Sequence, residues 1–207
     1  MRKLVRILIW TLLVCAVLAG GMYALFDPWM VPGDDAQFAV SIEPTLSAGD
    51  IVLVSRMASP ADGNLARCSD PDSPGRYVVG RVIGSGTDMV EFANGGMTIN
   101  GKRPNSAFAC DAVHLKNPAT QEDMELGCSM EEFAGTTHPA LVGKAADRDS
   151  KAQLEPGKLF LVSDDRVLHL DSRDFGQVSA ISCHTIVARL WGLSGWGDAK
   201  RRLTILW

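Results

Sequence analysis

Ser41-Ile42-Glu43-Pro44-Thr45-Leu46 holds a serine at the mouth of a turn that Pro44 stiffens, and Gly49-Asp50 then opens the apolar, β-branched run Ile51–Val54. Proline fixes its own φ and restricts the residue before it, so Glu43 and Pro44 are extended or turning rather than helical. Ile51 to Val54 reads as a buried strand. A hydroxyl held on a rigid turn beside a strand can act as a nucleophile once a neighbouring base takes its proton. Serine is also a common turn residue with no chemistry to perform, and both readings of Ser41 stand on this stretch alone.

Two further stretches carry candidate groups. Tyr77-Val78-Val79-Gly80-Arg81-Val82-Ile83-Gly84 leads to Thr87-Asp88, and Ser163-Asp164-Asp165-Arg166-Val167-Leu168-His169-Leu170-Asp171-Ser172-Arg173 is dense in charge. In this order, within Gln37 to Val178, the three stretches resemble the boxes of the bacterial signal peptidase I family. These are membrane-anchored endopeptidases that cut leader peptides from exported proteins after small residues, in an Ala-x-Ala pattern. The resemblance implies that Ser41 is the nucleophile and that Ile42, Leu46, Val78 and Val79 line the shallow substrate pockets. It also implies that an extended substrate adds as a strand alongside Val78–Gly80. The plain alternative for these apolar residues is ordinary strand core.

The family activates its serine with a lysine directly before Arg-Val-Ile-Gly. A desolvated lysine loses its proton near neutral pH and serves as the base. Here that position is Gly80, and no lysine lies between Lys3 and Lys102. The family also places Ser-Gly before the nucleophile, where the serine hydroxyl helps bind the oxyanion; this chain has Ala39-Val40. Removing one such donor costs about 3 kcal/mol of transition-state stabilisation. In the third stretch Asp164, Arg166, Asp171, Ser172 and Arg173 match the family pattern, while Ser163, Asp165, Val167, Leu168 and His169 depart. His169 stands where the family has a serine that hydrogen-bonds the lysine. Loss of a base at Gly80 and gain of an imidazole at His169 suggest a relocated base, with Gly80 leaving the space the ring fills and Asp171 or Asp164 orienting it. The opposing reading is a member that has kept the groove and lost the chemistry. Asp164, Arg166, Asp171 and Arg173 also suit a purely structural role under the site. No Cys/His spacing suggests a metal site, and nothing implies a cofactor.

These groups must be positioned by the rest of the chain. The 207 residues carry a formal net charge of -4, which gives no electrostatic footprint for nucleic acid. Ile7 to Phe26 is uncharged and almost wholly apolar, long enough at about 1.5 Å per residue to cross roughly 30 Å of hydrocarbon. Arg2, Lys3 and Arg6 precede it, and Asp27, Asp34 and Asp35 follow. That asymmetry places residues 1–6 in the cytoplasm and the main domain outside it, in the periplasm or its equivalent across a bacterial inner membrane. A cleaved signal peptide ending near Val17-Leu18-Ala19 is the rival, and the apolar run continues seven residues past Ala19. The expected partners are therefore the lipid bilayer and the signal peptides of exported preproteins.

Residues 27–36 read as a linker and 37–207 as one extracytoplasmic domain. Strand-like runs at Ile51–Val54, Tyr77–Ile83, Met89–Phe92, Met97–Ile99, Leu159–Val162 and Ile186–Leu190 make it mostly β. The family's coiled β-sheet architecture agrees. Met57–Gly75 reads as a surface loop and about 105–155 as a longer insertion, variable in the family. Of the cysteines, Cys15 lies in the apolar leader, and Cys68, Cys110, Cys128 and Cys183 lie beyond it. An even number there fits an oxidising compartment. Cys110 and Cys128 share the insertion and are paired on that ground, which leaves Cys68 with Cys183; the other connectivities and four free thiols stay open. The tail, with Trp191, Trp196, Trp207 and Lys200-Arg201-Arg202, suits either contact with an anionic bilayer surface or a solvated turn before a last strand.

Overall fold

The computed structural model describes residues 2–93, 96–143, 149–190 and 202–206, apart from the side chains of residues 2, 4 and 8. Trp191, Trp196, Lys200, Arg201 and Trp207 lie outside them. Helix α1 (Arg2–Leu25) has no acid in its first turn and none of its candidate span Val5–Leu25 is buried. By length and composition it can cross a bilayer. The chain then runs through β1 (Phe26–Met30), α2 (Ala36–Ser41), β2 (Ile51–Ser55), β3 (Leu65–Ser69), β4 (Tyr77–Ser85), β5 (Met89–Ala93) and β6 (Gly96–Ile99). It continues through β7 (Asn105–Lys116), β8 (Asp123–Phe133), β9 (Thr136–Val142), β10 (Ser150–Gln153) and β11 (Lys158–Val162). The last elements are α3 (Ser172–Phe175), β12 (Val178–Ser179), β13 (Cys183–Leu190) and β14 (Thr204–Ile205).

The domain is mostly β, as the strand runs predict. Its main sheet has eight strands in the order β1-β2-β13-β3-β4-β11-β12, with β14 added to β13. Two smaller sheets, β10-β5-β6 and β7-β8-β9, stand beside it. Every strand pairing is antiparallel. Strand β4 is the spine. Alternation along a strand sends successive side chains to opposite faces. Val79 accordingly packs with Val31, Phe38, Ile42, Leu46, Val54 and Ile186, while Val78 and Val82 pack with Leu159, Leu161 and Val178. The serine turn is thus glued to one face of β4 by apolar burial, worth about 25 cal/mol per Å² removed from water.

Two sequence expectations need correction, and a third gains detail. The linker at 27–36 is shorter, because Phe26–Met30 pairs residue for residue with Ile51–Ser55. Asp27 there takes an ion pair from Arg67 at 2.9 Å. The loop at Met57–Gly75 contains β3, whose alternation Arg67 obscures. That arginine is 7% exposed and lies over the rings of Tyr77 and Trp29 at 4.4 and 5.3 Å, so a charged residue reads as polar in sequence and is covered in the fold. The insertion at 105–155 is itself a sheet: β7, β8 and β9 pair over long registers, and Leu126, Cys128 and Leu141 form a small core of their own.

Both expected disulfides are present. Cys110–Cys128 crosses β7 and β8, and Cys68–Cys183 crosses β3 and β13. They close loops of 18 and 115 residues. On the chain-entropy scale, replacing Cys110 and Cys128 together by serine lowers unfolding free energy by about 3 kcal/mol, and the same change at Cys68 and Cys183 lowers it by about 5. Urea unfolding followed by circular dichroism measures both. Equal effects from the two pairs would contradict the loop-length account.

Candidate active site

Helix α2 begins because Asp35 caps it, its side chain accepting from the amides of Gln37 and Phe38 at 3.0 Å. It stops at Ser41 because Pro44 follows, across a cis Glu43–Pro44 peptide. Ser41 is fully buried, and its Oγ donates to the carbonyl of Phe38 at 2.8 Å. This is the local back-bond that serine makes inside a helix. In this state the hydroxyl is spent on its own helix.

The three sequence stretches meet at Asp164, which is 2% exposed. Arg81 grips it with Nε at 3.0 Å and Nη2 at 2.8 Å, and the Thr45 hydroxyl donates to its Oδ2. Arg81 Nη1 donates to the Gly63 carbonyl. Burial pushes the Asp164 carboxyl up, but the paired guanidinium outweighs it and holds the pKa at about 2. The third stretch is stitched to the serine helix at two further points. The Asp165 amide donates to the Ser41 carbonyl at 3.2 Å, and Gln37 Nε2 donates to the carbonyls of Leu168 and His169. Asp165 Oδ1 accepts from the amides of Val167 and Leu168, while its Oδ2 is buried without a hydrogen bond, and burial raises its pKa.

His169 sits at the edge of this loop with 19% of its side chain exposed. Its Nδ1 faces Asp174 Oδ2 at 2.9 Å. Burial pulls the imidazole pKa down, but the bond to Asp174 outweighs it and leaves the pKa raised. The carboxylate hydrogen-bonded to His169 Nδ1 is Asp174, where Asp171 or Asp164 was expected, and Asp171 also acts on the charge of the ring. Asp171 instead accepts from the Ser163 amide and from Arg173 through N, Nε and Nη2. It caps α3 in a box whose other half is Asp174. The spacing Asp171-x-x-Asp174 before a short helix was the signal for that partner. Ligand atoms of His169, Asp171 and Asp174 lie within 4.8 Å of one another, but Arg173 already occupies both Asp171 oxygens, so the cluster suits a cation poorly. Arg166 ties the loop outward, to Glu131 at 2.6 Å.

Gly80 does not leave room for a ring. A Cβ there would stand 3.0 Å from Leu161 Cβ and 3.2 Å from the Val162 carbonyl oxygen. Strand β11 fills the space beside position 80. Ile42, Leu46, Val78 and Val79 are all 3% exposed or less and pack as core. What remains open is an edge. Strand β4 pairs with β3 over Tyr77–Arg81, but with β11 only from Arg81 onward, because the chain leaves the ladder at Ser163. Among the described residues, 77–80 thus have no strand partner on that side. A small cleft beside them is lined by Pro32, Phe38, Val78 and Leu170 together with the charged Asp35, Asp70 and Arg76.

The family described as "Signal peptidase, peptidase S26" matches residues 3–191. Signal peptidase I V of Bacillus subtilis is 24% identical over 159 residues, covering 75% of this chain and 79% of that protein. Signal peptidase I of Streptococcus pneumoniae serotype 4 is 24% identical over 148 residues, covering 68% and 72%.

Two outcomes follow from this geometry. Asp164 and Glu131 both have pKa values lowered to about 2, so the stability they contribute is complete above about pH 4.5 and is lost as pH falls toward 2. Melting temperature should drop through that window. Asp164→Asn, which strands Arg81, should cost about 3–5 kcal/mol at neutral pH and weaken the acid dependence. An unchanged acid slope in that variant would remove Asp164 from the account. Gly80→Ala should cost about 1–3 kcal/mol by overpacking against Leu161, measured by urea unfolding. A neutral result would mean that β11 yields.

Proposed function

Because the chain belongs to the signal peptidase S26 family, we propose that it is a membrane-anchored protein that holds the leader peptides of exported proteins in extended form without cleaving them by a serine–lysine pair. The carrying observation is the coincidence of an unpaired strand edge at 77–80 with a buried, back-bonded Ser41 and a filled lysine position at Gly80. An extended peptide adds to such an edge through main-chain hydrogen bonds, and the adjoining cleft selects its side chains. The cleft is small, with Pro32, Phe38, Val78 and Leu170 beside the charged Asp35, Asp70 and Arg76, and its size agrees with the small-residue, Ala-x-Ala preference of the family. The basic residues Arg2, Lys3 and Arg6 support a cytoplasmic N-terminus, with the β domain on the other face of a bacterial inner membrane. Two disulfides agree with an oxidising compartment.

The His169–Asp174 pair favours a second reading, in which the chain is a serine endopeptidase with a relocated base. Asp174 on Nδ1 leaves Nε2 as the atom that takes the Ser41 proton. Ser41 Oγ then attacks the scissile carbonyl, His169 returns the proton to the leaving amine, and water hydrolyses the acyl-enzyme. That route requires Ser41 to give up its bond to Phe38 and to reach the surface.

The deciding experiment uses the full chain in detergent and a preprotein with an Ala-x-Ala leader bearing a photo-crosslinker. Crosslinking without cleavage is expected, at levels unchanged in Ser41→Ala and at least tenfold lower in Val78→Glu. Gly80→Lys is expected to gain no activity, since β11 occupies the space. Cleavage that disappears in both Ser41→Ala and His169→Ala, with the fold intact, would replace the binding reading by the second. Neither crosslinking nor cleavage would overturn both.

A further inference from the structure

Against the serine turn lies a second cavity, of about 250 Å³, that shares no lining residue with the cleft beside 77–80. Pro44 and Thr45 form one wall. Arg81, Arg189, His138 and Thr137 contribute donors to the others. We infer that this cavity is a binding site for a compact anion of the carboxylate or phosphate type.

The charge arrangement carries the inference. Among the described residues no aspartate or glutamate lines the cavity. Asp164, which neutralises Arg81, Asp50, 3.6 Å from Arg189, and Glu131, 3.6 Å from His138, all sit outside the lining. An occupant therefore meets cationic and donor groups first, with their carboxylates behind them. Arg81 is 2% exposed and uses three of its five N–H groups, on Asp164 and Gly63. His138 is 4% exposed, and both of its ring nitrogens are buried with no hydrogen bond. Its Nε2 stands 3.6 Å from Glu131 Oε2, beyond hydrogen-bond length. Glu131 is thus its ion-pair neighbour, and ring nitrogens buried without a hydrogen bond cost stability unless something satisfies them. An anion accepting from His138 and the guanidinium groups would do so, and charge-assisted bonds of this kind are the stronger ones. Arg189 Nη1 also donates to the Thr45 carbonyl, so occupancy bears on the wall that the serine turn shares with the cavity.

The inference goes beyond leader binding and is tested separately from it. The full chain in detergent micelles, with ¹⁵N-labelled histidine, is titrated with sodium phosphate and with sodium acetate against sodium chloride at matched ionic strength. The His138 imidazole resonances are expected to shift saturably with phosphate or acetate, at least tenfold more tightly than any response to chloride. The anion that acts distinguishes phosphate from carboxylate chemistry. Thr137→Val is expected to weaken the response at least threefold with the fold unchanged. In His138→Phe the rise in melting temperature that the anion gives the unmodified chain should disappear. A response equal to that of chloride, or one that survives both substitutions, overturns the site.

Discussion

The buried ion pair between Arg81 and Asp164 is the constraint on which the site depends. A carboxylate taken out of water is costly unless its oxygens are satisfied. Here two guanidinium nitrogens and the Thr45 hydroxyl satisfy it. Those three donors come from β4 and from the serine turn, and the acceptor comes from the loop after β11. One carboxylate therefore fixes three segments that lie far apart in the chain. The amide of the next residue, Asp165, reaches the Ser41 carbonyl, so the register of the loop against the serine helix follows from the same pair.

That arrangement does not depend on the groups proposed for catalysis. The scaffold around Ser41 needs the ion pair, the cap at Asp35 and the apolar face of β4, and none of these needs a lysine at position 80. Once a glycine stands there, β11 can close to within 3.0 Å of where a Cβ would be. Close packing makes such a change hard to reverse by one substitution, because interiors hold few voids. The imidazole of His169 meanwhile belongs to the capping arrangement of α3 as much as to any proton relay. Asp174 bonds both the His169 ring and the Asp171 amide. The same carboxylate thus serves a local helix start and gives His169 its raised pKa.

The open edge of β4 and the donor-lined cavity both exist because the chain leaves regular pairing at Ser163. Among the described residues this frees the edge of residues 77–80, and it brings Asp164 inward to hold Arg81 at the cavity wall. Asp171 stabilises the departure by accepting the Ser163 amide that would otherwise be orphaned.

Much of this was legible in the sequence where the signal is local. An uncharged apolar run specifies a span by length, alternating β-branched runs specify strands, and Pro44 stops a helix wherever it falls. The order of the three stretches identified the family. Strand β3 and the sheet β7–β9 were not legible, because their residues are strands only by virtue of partners far away in sequence, and Arg67 hides its burial behind its charge. The hydrogen bond between His169 and Asp174 was not legible for a related reason. Asp171 and Asp174 differ in composition not at all, and only the direction of the α3 cap decides which one turns to Arg173 and which to the imidazole. The sequence by itself determined which groups are present: a serine on a stiff turn, no lysine at position 80, and a histidine in the charged loop. Only the tertiary structure decided that Ser41 is buried, that Gly80 is filled and that Asp164 joins the three stretches, since burial and pairing are properties of the packed chain and not of any one segment.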